Sequence, residues 1–526
     1  MSAPKYSIIP KPQKYDVIDG EYTVTPDTAV LCVPEFIKAG NYLSSFLKTK
    51  KDASDGAIKF NKDESIPAEG YKLRVDNSGI VVTASDEHGA FYGAVTLKIM
   101  ILQSKQGSGK SVLNGADIYD YPKYEYRSGM VEESRHFFGK EAVMRLLDDM
   151  AMLKMNKMHW HLSDDQGYRI ESEIFPLLNE VGSRRKYEYL GGQGALSNLV
   201  EQGGEEYYHY YKKSEIREVV EYASKLCIDI VPEIDIPGHT VAFVAAYKDL
   251  SCRKNDCEVF CENGITEDVL CAGQEETYEF VEKLLNEVCE LFPYKYFHIG
   301  GDEAAKGHKI WEKECPKCQN AMKENGLKNG EELQEYFINR VNKMLNGMGK
   351  TCIEWNDGFG DKTDENIVCH YWIKRSPAWL QKEASRRKLI VSPTSHFYFD
   401  MSYATISLKK VYNFLPEKVG LAGHTDSILG LEFESWAEWI TDESALQFAL
   451  YPRIFAVAEN AWTEDNKRNY KDFYKRLDFF KGYMRAKGIN YSRLEKKKFS
   501  VRNRSIYHLG KMGPEYKYNE KLKETE

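Results

Sequence analysis

From about residue 123 onward the sequence repeats one pattern: a short β-branched or aromatic run, a loop, then a stretch with helical spacing of its apolar residues. Eight such runs stand out, at 126–131, 157–162, 229–234, 296–299, 351–355, 367–372, 389–392 and 428–433. Between most of them lie helical periods. The clearest spans 140–154, with Val143, Leu146, Leu147, Met150 and Leu153 on one face, and 214–227, 276–291, 331–348 and 378–387 follow it. Strands that alternate with helices pair in parallel, because a parallel neighbour is reached only through a crossover. Eight of these units predict an α/β fold closed as a (β/α)8 TIM barrel over 123–490. An open doubly wound sheet fits less well, since no glycine-rich phosphate loop follows a strand.

Residues 1–122 read differently. Short β-rich runs at 22–25, 29–33, 71–75 and 79–84 precede one amphipathic helix at 89–100, which makes a small α+β domain in front of the barrel. The Gly/Ser/Lys-rich stretch 103–115 reads as a connector, and 491–526, rich in Lys, Tyr and Arg, as a C-terminal extension. Net charge is −8, from 72 basic and 80 acidic residues without a basic stripe, so no nucleic-acid partner is expected. No apolar run is long enough to span a membrane, and no signal peptide is visible at the start of the sequence. Of 11 cysteines, Cys252, Cys257, Cys261 and Cys271 crowd one loop, and Cys315 and Cys318 form a separate Cys-x-x-Cys. The loop lacks the paired Cys-x-x-Cys ends of a zinc ribbon, so disulfides are expected there rather than a metal.

In a (β/α)8 enzyme the chemistry gathers at the C-terminal ends of the strands. Just past the runs stand Glu133 and Arg135, Asp164 and Asp165, Asp235 and His239, Asp302 and Glu303, Trp355 and Asp357, Trp372, Tyr398 and Asp400, then Trp436 and Glu438. Any one of them could be a loop residue or half of a salt bridge. Together they predict a pocket of carboxylates and indoles. That combination suits a sugar: acids bond to hydroxyls, and indole faces stack on the C–H face of a pyranose. The indoles could also be ordinary packing at the barrel mouth.

His298-Ile-Gly-Gly-Asp-Glu-Ala304 is the sharpest segment. On a continuing strand Asp302 and Glu303 would face opposite ways, but Gly300 and Gly301 let the chain leave the pleat and bring both into the pocket. Crowded acids raise the pKa of at least one member, which suits a general acid. The competing reading is an N-cap Asp followed by a first-turn Glu. Chain neighbours are poorly placed to act from opposite faces of an anomeric carbon, so the nucleophile must come from elsewhere.

With Ser134-Arg-His-Phe137, His159-Trp-His-Leu-Ser-Asp-Asp-Gln166, Glu233-Ile-Asp-Ile-Pro-Gly-His-Thr240 and the Trp436/Glu438 pair, this segment resembles the β-N-acetylhexosaminidases of glycoside hydrolase family 20. The resemblance covers about residues 5–480 and includes the small domain. It implies a retaining exo-enzyme acting on glycans that end in β-linked GlcNAc or GalNAc. The nucleophile would be the substrate's own acetamido oxygen. By motif, Glu303 would be the acid/base, Asp302 the partner of the acetamido N–H, and Tyr398 a donor to its carbonyl. Arg135, with Asp164, would grip the distal hydroxyls. Glu438 and Asp400 would take others, Trp355, Trp372 and Trp436 would box the ring, and His239 would support the acid.

The resemblance also suggests Cys252 and Cys271 as a disulfide pair, with Cys257 and Cys261 as additions. With the substrate class, it points to a bacterial periplasm or cell surface. Three other readings stay open: a two-carboxylate glycosidase using Asp400 or Glu438, a non-catalytic sugar-binding barrel, and a metal-dependent hydrolase built on His159, His161, Asp164 and His239. The last leaves the indoles and the Asp–Glu pair unexplained, so no metal or cofactor is expected in the reaction.

Overall fold

The structure, a computed structural model, describes residues 5–493 except 50–54, 105–109, 188, 191–200, 203–205 and 263. The small domain is a six-stranded mixed sheet made of β1 (Lys14–Val24), β2 (Thr28–Cys32), β3 (Asp55–Lys62), β4 (Tyr71–Asp76), β5 (Gly79–Ala84) and β6 (Ser111–Asp120), in the order β1-β6-β4-β5-β3-β2. Two helices, α1 (Ile37–Leu47) and α2 (Glu87–Ser104), pack with it. Much of the stretch expected as a connector is therefore strand: β6 lies between β1 and β4 and pairs antiparallel with both. Its Asn114-Gly115 step hid an alternation of buried and half-buried residues that breaks once, at Gly115-Ala116. Strand β3 and helix α1 also went unread.

Helix α2 is buried on nearly every side rather than on one face, because the barrel covers what the sheet leaves open. Tyr92 packs edge-on to Trp462 at 5.2 Å and accepts a 2.9 Å hydrogen bond from Arg127 Nη2. Nearby Asp120 takes Lys154 Nζ at 2.8 Å, Tyr71 Oη at 2.7 Å and Trp462 Nε1 at 2.8 Å, all fully buried. A buried charge this well partnered fixes how the sheet seats on the barrel.

All eight predicted runs are barrel strands: β7 (Tyr126–Glu132), β8 (Lys157–His161), β9 (Asp229–Glu233), β10 (Tyr296–His298), β11 (Thr351–Trp355), β12 (Val368–Tyr371), β13 (Leu389–Val391) and β14 (Ile428–Phe433). They are parallel and closed, β14 returning to β7 through Gly430–Tyr126 pairing. The outer helices include α3 (Lys140–Met152), α4 (Lys213–Lys225), α5 (Glu275–Cys289), α6 (Ala305–Lys313), α7 (Pro316–Glu324), α8 (Gly330–Gly347) and α9 (Pro377–Arg386).

The two-residue period of the strands sorts the interior into layers. Tyr126, Val231, Tyr296, Ile353, Val368, Ile390 and Leu429 form an apolar plug. Two residues further along their strands come Glu233, His298, Trp355 and His370, packed with His159 from β8. Glu233 accepts Trp355 Nε1 at 2.8 Å and lies 3.0 Å from His159 Nε2 and 3.1 Å from His298 Nδ1. This polar layer is the floor beneath the strand ends.

None of the 11 cysteines is in a disulfide, which corrects the expected Cys252–Cys271 bond. The two do meet, but in the company of Cys315 and Cys318 at the start of α7. Cys257 and Cys261 stand outside this group. Spacing along the chain grouped the loop cysteines; helix packing groups different ones. Residues 494–526, most of the expected C-terminal extension, lie outside the described residues.

Candidate active site

At the C-terminal ends of the strands is a cavity of about 200 Å³. Arg135, Asp164, His239, Asp302, Glu303, Trp355, Trp372, Tyr398, Asp400, Trp436 and Glu438 line it, joined by Thr394 and Met401. Every residue given a role by the family resemblance is thus brought to one place, whereas the strand-end acids Glu133, Asp165, Asp235 and Asp357 lie outside the lining, Glu133 being taken up by Trp160 and Tyr211.

The acid pair gets there through the two glycines. Strand β10 ends at His298, and Gly300 and Gly301 follow with φ of +69° and +87°. A Cβ on Gly300 would stand 1.8 Å from Asp235 Oδ1, so both the turn and the close approach demand glycine. Asp235 Oδ1 also accepts the Gly301 N–H at 3.2 Å. The helix that follows starts at Ala305 with Ala304 as its N-cap and no side-chain cap, so Asp302 is not the capping residue of the alternative reading.

Glu303 itself sits at φ +53°, a conformation that costs a residue with a side chain and that clusters at functional sites. Its N–H donates to Asp357 Oδ2 at 2.8 Å, and Asp357 Oδ1 accepts Trp372 Nε1 at 2.8 Å. The acid and one wall of the pocket therefore share an anchor.

His239 bridges the two ends of the pocket. Its Nδ1 lies 3.0 Å from Asp164 Oδ1, and its Nε2 lies 3.4 Å from Glu303 Oε2 and 3.7 Å from Asp302 Oδ2. Burial would strip its proton, but Asp164 foremost, with Asp165 and Glu303, holds its pKa well above the ordinary value. These carboxylates thus favour the charged form of the imidazole behind the acid pair. Burial pushes Asp302 up to about 7; His239 opposes this, while Asp357, Glu303 and Glu233 add to it. The Asp302 side chain is 10% exposed against 33% for Glu303, and its Oδ1 is buried without a hydrogen-bond partner.

On the far side Arg135 Nη2 meets Asp164 Oδ2 at 2.8 Å, its Nε donates to Gln166 Oε1 at 2.8 Å, and its guanidinium lies 5.4 Å from the Trp436 ring centre. Burial opposes the charge on both Arg135 and Asp164, and each overcomes it through the other. Four rings wall the cavity. Trp355 meets Trp372 at 6.3 Å and Trp436 at 5.9 Å, while Tyr398 stacks on Trp372 at 5.9 Å and reaches Trp436 at 6.3 Å.

Family models match the sequence along both domains. The model for the glycosyl hydrolase family 20 catalytic domain fits residues 124–465, and that for domain 2 of the same family fits residues 5–121. The chain belongs to glycoside hydrolase family 20. It is 33% identical over 517 residues to a β-hexosaminidase of Porphyromonas gingivalis, covering 92% of this chain and 64% of that one. It therefore spans somewhat less than two thirds of that relative's length. A β-hexosaminidase of Vibrio furnissii is 30% identical, over 86% of this chain and 76% of the relative. Among solved structures, the family 20 exo-β-N-acetylglucosaminidase of Vibrio harveyi, in complex with N-acetylglucosamine, superposes with a TM-score of 0.81 at 27% identity, over 94% of this chain and 80% of that one.

Within the family 20 barrel, sequence reasoning missed Thr394 and Met401 and gave Asp357 no role. Asp357 was picked out just past β11 by its place at a strand end, but its part in anchoring Glu303 and Trp372 shows only in the fold. Thr394 is fixed by the strand β12 edge, its Oγ1 and N–H both donating to Trp372 O. His159 and His161 lie in the floor rather than in the pocket lining. His159 has Glu432 at 2.8 Å on Nδ1 and Glu233 on Nε2; His161 has Glu233 on Nδ1 and Asp164 at 3.0 Å on Nε2. Burial works against their charge, yet these carboxylates raise the two imidazoles to about 10 and about 9. Each imidazole is thus engaged by two carboxylates beneath the pocket, away from the lining where substrate would bind.

Proposed function

We propose that the chain is a retaining exo-β-N-acetylhexosaminidase that removes terminal β-linked GlcNAc or GalNAc through an oxazolinium intermediate. The observation that carries this reading is that Asp302 and Glu303 both lie within 3.7 Å of one His239 nitrogen. They sit on one side of the cavity. A conventional retaining pair acts from opposite faces of the anomeric carbon, and chain neighbours gathered on one imidazole nitrogen are poorly placed to divide the roles of acid and nucleophile. A 2-acetamido group held by Asp302 supplies the missing nucleophile.

In the first step the acetamido oxygen bonds to C1 as the C1–O bond to the leaving group breaks, and Glu303 gives its proton to the departing oxygen. Asp302, through its unpartnered Oδ1, accepts the acetamido N–H and offsets the positive charge that develops on the ring. Tyr398 donates to the acetamido carbonyl and holds it beneath C1, within the box of Trp355, Trp372 and Trp436. In the second step Glu303 takes a proton from water, whose oxygen bonds to C1 as the oxazolinium opens. Two inversions give retention. Glu303 is the more open of the pair, as a residue serving leaving group and water must be.

Arg135, aligned by Asp164, would hold the distal hydroxyls, with Glu438 and Asp400 on others. At about 200 Å³ the cavity is below the roughly 300–1,000 Å³ typical of drug-sized ligands, which favours one sugar ring and so exo-action. The N-acetylglucosamine in the Vibrio harveyi structure supports the same reading. Such sugars terminate glycans met outside the cytoplasm, so a periplasmic or surface location goes with this proposal, tested by cell fractionation.

Aryl β-GlcNAc should be cleaved and the matching aryl β-glucoside, lacking the internal nucleophile, should not. Comparable turnover of the two would overturn the mechanism.

A further inference from the structure

We propose that Cys252, Cys271, Cys315 and Cys318 bind one structural zinc ion that clamps the loop after β9 to the helices following the acid pair. The four come from separated parts of the chain. Cys252 and Cys271 flank a loop closed by the Ser251–Leu270 antiparallel bridge. Cys315 is the N-cap of α7 and Cys318 lies in its first turn. Cys315 is 44 residues from Cys271, and Cys318 is 66 from Cys252.

The spacing of the four sulfurs suits a tetrahedral site. The Sγ atoms of Cys252 and Cys318, Cys271 and Cys315, and Cys271 and Cys318 are each 3.7 Å apart, and all four lie within 4.8 Å of one another. Four thiolates at a Zn–S distance of about 2.3 Å stand on a tetrahedron with an edge of about 3.8 Å. Disulfides give another pattern: two short pairs, each with sulfurs about 2.05 Å apart. Here Cys271 is equidistant from two neighbours, so no pairing is singled out. An all-sulfur donor set selects a thiophilic ion and rejects magnesium or calcium. Four protein ligands leave no open position, which makes the site structural rather than catalytic.

The surroundings are built for close approach. A Cβ on Gly273 would fall 2.3 Å from the Cys318 backbone nitrogen, and one on Gly307 would fall 2.3 Å from a Val269 methyl. Trp311 Nε1 on α6 donates to Leu270 O at 3.1 Å. Cys271, Cys315 and Cys318 are buried, and Cys252 is half-buried. The same loop reaches the sugar pocket. Phe260 N–H donates to Asp165 O at 3.2 Å, and Glu262 O accepts Gln166 Nε2 at 3.0 Å, Gln166 being the residue that holds Arg135. One ion would thus set both α6, which starts just after Glu303, and the wall behind Arg135.

The test is metal analysis of the full chain purified without chelator, with alkylation of the unreduced, unfolded protein in parallel. One zinc per chain and 11 alkylated thiols are expected. Cys315→Ser and Cys318→Ser should lose the zinc and melt at lower temperature, whereas Cys257→Ser and Cys261→Ser should keep both. Where the first two variants do not fold, wild-type protein unfolded with a chromogenic chelator should release one zinc per chain. Cobalt in its place should give the absorption of a tetrahedral four-sulfur site. Disulfides among these four cysteines would overturn the proposal. So would iron in place of zinc, zinc retained by a Cys315→Ser/Cys318→Ser double variant, or metal-free protein with free thiols after growth in zinc-replete medium.

Discussion

Helix α6 has a cluster of ionisable side chains at each end. At its start stand Asp302 and Glu303 with His239; at its finish stand Cys315 and Cys318 with Cys252 and Cys271. The acid cluster is left with unmet demands: an unpartnered Asp302 oxygen, a Glu303 backbone at φ +53°, and an opening into a cavity. The sulfur cluster is closed, its four donors facing one another with three of them buried. Both are dense and both hang on the same helix. The difference is that one keeps an unfilled valence for a substrate, while the other has none to spare once an ion fills it. Reactivity and scaffold are thus separated by the length of α6.

The largest expected effect is at the acid end. Glu303→Gln should lower kcat/KM for alkyl glycosides by about 10²–10⁴-fold, the usual worth of a general acid, with little change in Tm. A fall in stability as marked as the fall in rate would break the distinction. Cys318→Ser should do the opposite: a clear drop in Tm, with the folded fraction still turning over aryl β-GlcNAc at low temperature. Loss of activity at unchanged Tm would make the sulfur cluster part of the chemistry.

A smaller effect is in pH. In the proposed mechanism Asp302 must be ionised to take the acetamido N–H, and its carboxyl is raised to about 7, chiefly by burial. The ionised fraction falls as pH drops through that value, so kcat/KM should decline below about pH 7. His239 lowers the Asp302 pKa, so His239→Asn should move this acid limb to higher pH. A limb that moved down, or not at all, would remove His239 from its place beside the acid pair. Smallest of all, brief EDTA treatment of the native enzyme should leave the rate unchanged, because the proposed mechanism uses no metal and a closed four-sulfur site exchanges slowly. An immediate loss would reopen the metal-hydrolase reading.

The same two ends of α6 differ in what the sequence reveals. The barrel was legible because its strands are short β-branched runs capped by helical periods, and all eight lie where the pattern puts them. The acid pair was legible because HIGGDEA is contiguous: the glycines that permit the turn are adjacent to the acids they redirect. His239 was read as support for the acid and stands 3.4 Å from Glu303. The sulfur cluster was not legible, since its halves are brought together by packing of the loop against α6 and α7, and the loop's own extra cysteines were the nearer partners by count. Strand β6 was hidden by Asn114 and Gly115, which read as a turn in isolation; Asn114 pairs with Glu21 of β1, and Gly115 lies opposite the irregularity between Val17 and Glu21, where a Cβ would fall 2.4 Å from Ile18 O.

The proposed mechanism divides the work between Glu303, at the leaving group, and Asp302, at the internal nucleophile. It is tested most directly by plotting log kcat/KM against leaving-group pKa for the wild type, Glu303→Gln and Asp302→Asn. Without its proton donor, Glu303→Gln should lose most on basic alcohol leaving groups and least on acidic phenols, giving a steeper line. Asp302→Asn weakens the acetamide whatever departs, so its line should fall nearly parallel to the wild type. A parallel fall for Glu303→Gln and a steeper line for Asp302→Asn would contradict the assignment.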